Sequence, residues 1–504
     1  MLLEPTDNVT AICVSLTEAN IEATLARMAE LAPVADLFEV RADFVRDLDI
    51  PALLRARTKP LLLTCRPESE GGRWPDADPD GRRQVLQEAV DRGVDLVDVE
   101  LDSGFDDVIA AKAGRGLVIS SHDLEGLPGD LDGLHSRMAA TGADVIKIVG
   151  TARSVADVGR LLDFARRHAS PAKAGRGLVA LAMGPLGTSS RILGGRYGAP
   201  FTFASPSRGG EAAPGQIPVQ VLAGTYGVRS VGPGTLVYGI LGRDVLRSLS
   251  PAIHNRAFAE RGIDAVYVPL QAESLEAFLE ARPSLGLSGF SVTRPYKTEL
   301  VPHLESVTAN VAEADSANTV VVQDGRLLGL STDGDGVLLP LRQRGDVGGR
   351  RVDIVGAGGA ARAAALALTR AGARVTVRAR RVEQAAEVAS ATGSAHGGLE
   401  ALGREPWDVL INATPVGSGA QPGESPVPPA VLRPDRIVFD MVYEPRETPL
   451  LHAAKAAGCR TIDGVEMLVA QAVGQFEAWT GAEAPIGAMT EAAHAALDEA
   501  GARE

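Results

Sequence analysis

Eight short apolar runs punctuate the first 220 residues: "AICVSL" (11–16), "DLFEVR" (36–41), "PLLLTCR" (60–66), "DLVDVEL" (95–101), "GLVISS" (116–121), "DVIKIV" (144–149), "GLVALAM" (177–183) and "FTFAS" (201–205). Each has strand length and carries β-branched or aromatic residues. Helix-like Ala/Leu/Arg segments such as "DGRRQVLQEAVDRG" and "SVADVGRLLDFARRH" separate most of them. This alternation predicts βα units and a parallel sheet, an α/β class. "AKAGRGLV" occurs at 111–118 and again at 172–179, ahead of the fifth and seventh runs. Eight parallel strands in this length fit a (β/α)8 TIM barrel. An open doubly wound sheet has the same periodicity and stays as the competitor.

Two Gly/Pro/Ser-rich stretches follow, "SPSRGGEAAPGQIP" (205–218) and "GTYGVRSVGPGT" (224–235). The second predicts a domain boundary, with a first domain at 1–222 and a linker at 223–235. Alternation then resumes. In "RRVDIVGAGGAARA" a strand, a glycine turn and a helix start come together, with Gly356, Gly358 and Ala361 spelling G-x-G-x-x-A. The turn Gly356, Ala357, Gly358, Gly359 and Ala360 is therefore the expected pyrophosphate site, at the positive end of a helix. The next strand, "ARVTVRARR", offers Arg378, Arg380 and Arg381 where an NAD site usually has a carboxylate. Arginines there suit a 2′-phosphate, which favours NADP. The Pro-rich "AQPGESPVPPAVLRP" (420–434) reads as a surface loop, and "EMLVAQAVGQFEAWTG" and "MTEAAHAALDEAGA" read as helices.

At 504 residues the chain is too long for one ordinary core. Its net charge of −14 argues against a nucleic-acid or anionic-membrane partner. The three cysteines (Cys13, Cys65, Cys459) are scattered, with neither disulfide framework nor metal spacing. The N-terminal "MLLEPTDNVT" lacks the pattern of a secretory signal, and no apolar run is long enough to span a bilayer. A cytoplasmic location is expected.

One position is out of character. Lys147, one of only six lysines, sits among Val145, Ile146, Ile148 and Val149, although lysine is almost never buried unpaired. Glu39, Arg41, Arg66, His122 and Lys147 all fall at or near the C-terminal ends of apolar runs, where barrel active sites lie. A lysine among cations and apolar walls should have a lowered pKa and a nucleophilic amine. The bland alternative pairs it with a carboxylate such as Glu39.

"EVRAD" (39–43), "TCRPESEGG" (64–72), "SSHD" (120–123), "IKIV" (146–149), "GTSSR" (187–191) and "APGQ" (213–216) resemble type I 3-dehydroquinate dehydratase across about 10–222. "SLSPAIHN" (248–255), "SVTRPYK" (291–297), "ADSANTV" (314–320), "STDGDG" (331–336), "GAGGAAR" (356–362), "DMVY" (440–443) and "DGVEMLVAQA" (463–472) resemble shikimate dehydrogenase over nearly all of 236–504. The chain is thus similar to the fused dehydratase–dehydrogenases of the shikimate pathway.

That resemblance implies a Schiff base between Lys147 and 3-dehydroquinate, with His122 as acid and base and Glu70 orienting it. It implies that Arg191 holds the substrate carboxylate and that Glu39, Arg41, Arg66 and Gln216 shape the site. For the second half it implies Lys297 and Asp333 as the catalytic pair reducing 3-dehydroshikimate to shikimate. Ser248, Ser250 and Tyr443 would take the carboxylate end, and Thr293, Asn318 and Gln471 the ring hydroxyls. It implies a substrate-binding lobe at 236–340 completed by 465–504, a Rossmann-like lobe at 341–464, and no metal. Three positions depart from the family pattern: Ala212 replaces a serine, and Ser291 and Ser331 replace asparagines. A quinate- or shikimate-oxidising enzyme using NAD is the nearer alternative. A non-catalytic sensor or repressor is the further one, and the intact Lys147, His122, Lys297 and Asp333 speak against it.

Overall fold

Each of the eight apolar runs forms a strand: β1 (Ala11–Leu16), β2 (Leu37–Arg41), β3 (Leu61–Thr64), β4 (Leu96–Glu100), β5 (Leu117–Asp123), β6 (Val145–Thr151), β7 (Gly177–Met183) and β8 (Phe201–Ser205). The computed structural model describes residues 10–169, 177–419 and 421–501. The N-terminal segment 1–9 and the start of the second "AKAGRGLV" copy, 172–176, lie outside the described residues. Two units are distinguished, 1–251 with 264–288, and 252–263 with 289–504.

The strands of the first unit run in the order β7-β6-β5-β4-β3-β2-β1-β8-β9, where β9 is the short Ile217–Pro218. β1 pairs in parallel with both β2 and β8, which a doubly wound sheet cannot arrange for its first and eighth strands. The sheet is curled as in a TIM barrel. β9 occupies the second edge of β8, and no ladder joins β7 to β8 among the described residues. The fully closed ladder expected from the sequence is therefore replaced at this seam.

The strand period of two builds the interior in layers. Cys13, Leu37, Leu62, Leu96, Val118 and Val145 form an apolar floor, each 5 % exposed or less, where each residue contributes roughly 1.5–3 kcal/mol by burial. Two residues further along the same strands stand Ser15, Glu39, Thr64, Asp98, Ser120 and Lys147, all buried. Two residues beyond those stand Arg41, Arg66, Glu100, His122 and Val149. The interior thus turns from apolar to charged toward the C-terminal ends of the strands.

In the second half of the chain β10 (Leu236–Gly242) pairs in parallel with β11 (Ala265–Gln271). β12 (Leu287–Val292) runs antiparallel to β14 (Thr319–Gln323), which turns back on β15 (Arg326–Leu330); the two-residue β13 (Ser306–Val307) lies beside β15. An all-parallel sheet follows: β16 (Arg351–Val355), β17 (Arg374–Ala379), β18 (Ala395–Gly398), β19 (Val409–Asn412), β20 (Ile437–Asp440) and β21 (Arg460–Ile462). Its order, β18-β17-β16-β19-β20-β21, is the Rossmann arrangement. The expected C-terminal helices form at Gly464–Thr480, started by an Asp463/Glu466 capping box, and at Ile486–Gly501. Among its described residues the Pro-rich stretch is largely exposed, as expected of a surface loop, but three apolar residues anchor it. Val427, Val431 and Leu432 are buried against Trp407 and Leu450, because its apolar residues close one face of the parallel sheet.

Candidate active sites

A cavity of about 90 Å³ opens at the charged end of the barrel and is lined by Glu39, Arg41, Arg66, Glu70, His122, Lys147, Arg191 and Gln216, among others. All eight dehydratase residues expected from the sequence meet there. Val149, Leu181, Met183 and Phe203 supply an apolar wall, and the Lys147 ammonium lies 4.1 Å from the Phe203 ring centroid.

The environment of Lys147 corrects the expectation of cations and apolar walls alone. Its Nζ donates to Asp98 Oδ2 at 3.1 Å and stands 3.7 Å from Glu39 Oε1. Glu39 in turn accepts from the Ser15 and Thr64 hydroxyls at 2.6 and 2.9 Å, and Gln216 donates to Ser15 at 3.2 Å. Arg66 bridges Asp98 at 2.8 Å and Glu100 at 2.7 Å. Arg82, from the Pro79–Asp91 helix, backs Glu100. Arg41 is held by Asp43 through paired bonds of 2.9 and 2.7 Å. Burial pushes the Asp98 carboxyl up, but Arg66, Lys147 and the Ser120 hydroxyl outweigh this and hold it at about 2. Asp98, Glu100, Ser15 and Ser120 were not expected. The signal for the first two was present in "DLVDVEL", where charges alternate with apolar residues just as they do in "DLFEVR".

His122 and Glu70 form a second group. Glu70 Oε2 accepts from the His122 backbone N–H at 3.1 Å and pairs with its Nδ1 at 2.9 Å. Burial, with the Arg66, Lys147 and Arg41 cations, keeps His122 well below the usual histidine range. Burial also lifts Glu70 to about 7, helped by Glu100 and Asp98 and opposed by Arg66. A neutral imidazole whose Nδ1–H is taken by Glu70 leaves Nε2 as the base. Arg191, on the Thr188–Leu193 helix, donates to the Pro214 carbonyl at 3.1 Å, and its Nε has no partner among the described residues. Burial pulls it down to about 10. An uncompensated buried guanidinium in a cavity suits an anionic ligand. Ala212 lines this cavity, whereas Ser207 is exposed and Ser205, though buried, is not part of the wall.

In the second unit Lys297 Nζ lies 3.0 and 2.7 Å from the two Asp333 oxygens. Asn318 and Gln471 donate to Asp333 Oδ1 at 2.9 and 3.2 Å. Thr332, unexpected, anchors Asn318 through its backbone N–H, which donates to Asn318 Oδ1 at 2.9 Å. Five residues, up to 174 positions apart in the chain from Lys297 to Gln471, so form one hydrogen-bonded group. Thr293 and Tyr443 are half-buried, in the turns after β12 and β20. Ser248 and Ser250 belong to the other unit, where the Ser250 N–H donates to Ser248 Oγ at 3.2 Å.

The glycine turn after β16 fits a pyrophosphate. Gly356 adopts φ 121°, and a Cβ there would stand 3.0 Å from the Ala413 carbonyl, so glycine is needed. Gly358 caps the Gly359–Arg370 helix, and Gly358 and Gly359 face open space. Arg380 and Arg381 are exposed at the end of β17. Arg378 is not available as expected: it is 2 % exposed and bound to Asp353 at 2.8 Å and Glu405 at 2.6 Å. Arg378 lies on the buried C-terminal half of β17, between β16 and β18, so an arginine there must be paired internally.

Residues 12–233 match the type I 3-dehydroquinase family model, 240–320 the shikimate dehydrogenase substrate binding domain, and 464–494 the shikimate 5′-dehydrogenase C-terminal domain. A chloroplastic bifunctional 3-dehydroquinate dehydratase/shikimate dehydrogenase of Arabidopsis thaliana is 36% identical over 480 residues, covering 90% of this chain and 78% of its own. The chain belongs to this bifunctional dehydratase/dehydrogenase family. Its dehydrogenase half is also 41% identical over 247 residues to a shikimate dehydrogenase (NADP(+)) of Pyrococcus abyssi, covering 49% of this chain and 92% of the relative. A crystal structure of shikimate dehydrogenase in complex with NADP+ matches 53% of this chain and 96% of its own, at 34% identity and a TM-score of 0.50. The quinate-oxidising and non-catalytic alternatives are not favoured by these relatives.

Proposed function

We propose that this bifunctional enzyme dehydrates 3-dehydroquinate to 3-dehydroshikimate in its barrel and reduces that product to shikimate in its second half. The observation that carries the reading is a single cavity holding the Lys147 amine, a neutral His122 held by Glu70, and the uncompensated Arg191 guanidinium.

In the barrel the Lys147 nitrogen attacks the C3 ketone carbon, and loss of water leaves a protonated imine. That imine withdraws electrons and makes the C2 proton acidic. His122 Nε2 takes this proton, and the resulting enamine expels the C1 hydroxyl, which leaves as water with the proton returned by His122. Hydrolysis of the imine frees Lys147 and the product. Arg191 holds the substrate carboxylate, and Asp98 and Glu39 receive the amine's charge between turnovers.

For the second half, NADP fits the Gly356–Ala360 turn, with Arg380 and Arg381 for its 2′-phosphate, and when bound it supplies the hydride for the C3 carbonyl carbon. Lys297 gives a proton to the carbonyl oxygen, and Asp333 keeps Lys297 in place. Asn318 and Gln471 hold Asp333, and Gln471 presents its second N–H to a substrate hydroxyl. A boundary at 223–235, followed by lobes at 236–340 with 465–504 and at 341–464, completes the reading. Among the described residues no helix is long and apolar enough to cross a membrane. The acidic chain and the small-molecule substrates support a reading without a nucleic-acid partner, and the enzyme is read as acting in the cytoplasm.

Borohydride reduction in the presence of 3-dehydroquinate, followed by peptide mapping, tests the mechanism. A reduced adduct is expected on Lys147 and is lost in Lys147→Ala. Labelling elsewhere, or dehydration surviving the substitution, would overturn it.

A further inference from the structure

The Thr188–Leu193 helix, which carries Arg191, is buried at all six of its positions. A helix on the outside of a barrel ordinarily leaves one face to water. Here β11, from the stretch that matches the dehydrogenase substrate-binding family, packs against this helix and against the preceding Pro185–Gly187 turn. The neighbouring barrel helix, Val155–Arg167, is covered by the Leu275–Leu285 helix that follows β11.

The contact is a built joint. A Cβ at Gly159 would stand 3.0 Å from the Ala281 Cα and 3.2 Å from its Cβ, so the two helices meet at a pair of small residues. The Glu273 carboxylate accepts from the Ser154 hydroxyl and, at 3.1 Å, from the Val155 N–H, at the start of the barrel helix. The Ser284 hydroxyl donates to Asp163 at 2.6 Å. Residues 264–288 accordingly group with 1–251 in one unit. The Arg191 guanidinium is held only by the Pro214 carbonyl among its described hydrogen-bond partners, while its backbone carbonyl accepts from the Thr202 hydroxyl at 2.8 Å. Placement of its helix, more than any side-chain partner, therefore decides where its guanidinium stands.

We propose that β11 and the Leu275–Leu285 helix are a working part of the dehydratase. They position the Thr188–Leu193 helix and through it Arg191, so a change within the dehydrogenase-matching segment alters substrate binding in the barrel. The proposal rests on the reading that Arg191 binds the substrate carboxylate. Arg191 acts on ground and transition states alike, so the effect falls on KM more than on kcat.

The test uses the full chain with Gly159→Ala, Ala281→Gly, the two combined, Glu273→Gln and Arg191→Ala, assayed for both activities. Alanine is otherwise the better helix former at 159, so harm there comes from the joint. Gly159→Ala is expected to raise the dehydratase KM about three- to tenfold with kcat within about twofold. Adding Ala281→Gly restores it. Glu273→Gln gives a smaller rise in KM and keeps the proposal testable should Gly159→Ala misfold, and retained dehydrogenase rates show that each variant is folded. If Arg191→Ala raises KM while Gly159→Ala and Glu273→Gln leave it unchanged, the proposal fails and the role of Arg191 stands. A rise that Ala281→Gly does not reverse also overturns it. If Arg191→Ala itself leaves KM unchanged, the role of Arg191 is refuted and the proposal falls with it.

Discussion

Asp98 holds Lys147 and Arg66 at once: its Oδ2 lies 3.1 Å from the Lys147 ammonium and its Oδ1 2.8 Å from the Arg66 guanidinium. One buried carboxylate thus pairs with two buried cations, and Glu39 and Glu100 face the same two cations from their other sides. The Asp98 pKa is lowered to about 2, so its contribution to stability is fully present above the ordinary carboxylate range and is lost as the pH falls toward 2. Asp98→Asn leaves both cations without their shared partner. It should destabilise the fold at neutral pH by about 3–5 kcal/mol, read as a lower Tm or denaturation midpoint. An unchanged midpoint would show that Glu39 and Glu100 suffice.

The His122–Glu70 pair sets the pH profile of the dehydratase. Above about pH 7 the ionised Glu70 accepts the His122 Nδ1–H; as the pH falls through about 7 Glu70 gains a proton and that acceptor weakens. Dehydratase kcat/KM should therefore fall on the acid side with an apparent pKa near 7 that belongs to the pair. Glu70→Gln should lower the plateau and remove this limb. A wild-type profile flat between about pH 5.5 and 8 would contradict the assignment.

The same raised pKa has a consequence for stability. Folding favours the neutral Glu70, so its contribution is fully present below the ordinary glutamate range and is lost as the pH rises through about 7. Glu70→Gln should gain Tm relative to wild type above about pH 7 and lose that gain below about pH 4.5, measured by thermal melts across pH. A pH-independent difference in Tm would refute the shift.

Ala212 leaves an apolar patch in the cavity wall where the family has a hydroxyl. Neither Ser205 nor Ser207 lines that wall. Ala212→Ser should lower the KM for 3-dehydroquinate about two- to tenfold, the worth of one added hydrogen bond. Steady-state kinetics on the single variant decide this, and an unchanged KM would mean that the hydroxyl is not missed.

Neighbouring arginines should respond differently. Arg378→Ala strands the buried Asp353 and should cost about 3–5 kcal/mol of stability. Arg380→Ala combined with Arg381→Ala should leave the Tm nearly unchanged and raise the KM for NADP about tenfold or more, with little effect on NAD. If the exposed pair leaves the NADP/NAD ratio unchanged, the 2′-phosphate is bound elsewhere.

Much of the barrel was legible because its chemistry breaks a pattern. A charge inside an apolar strand is costly, so Lys147, Glu39 and Arg41 stood out, and by the same alternation Asp98 and Glu100 could have been read. Arg378 was misread for the converse reason. An Arg-rich strand end looks like a phosphate site, but only the sheet shows that the end of β17 is buried and that Arg378 is paired. The Pro-rich stretch at 420–434 is a surface loop as its composition suggests, while only packing decides that Val427 and Val431 anchor it.

By itself the sequence determined the strands of the first half, the strand–glycine turn–helix of the cofactor site, most of the residues able to do chemistry, and the family, because periodicity and motif are local properties. Only the tertiary structure decided which charges meet. Lys147 and Asp98 are 49 positions apart and on different strands, and their contact depends on strand order and register, which no local pattern carries. The same holds for β11, which is read along the chain as part of the dehydrogenase. Its packing against the helix that bears Arg191 is a matter of which apolar faces find each other.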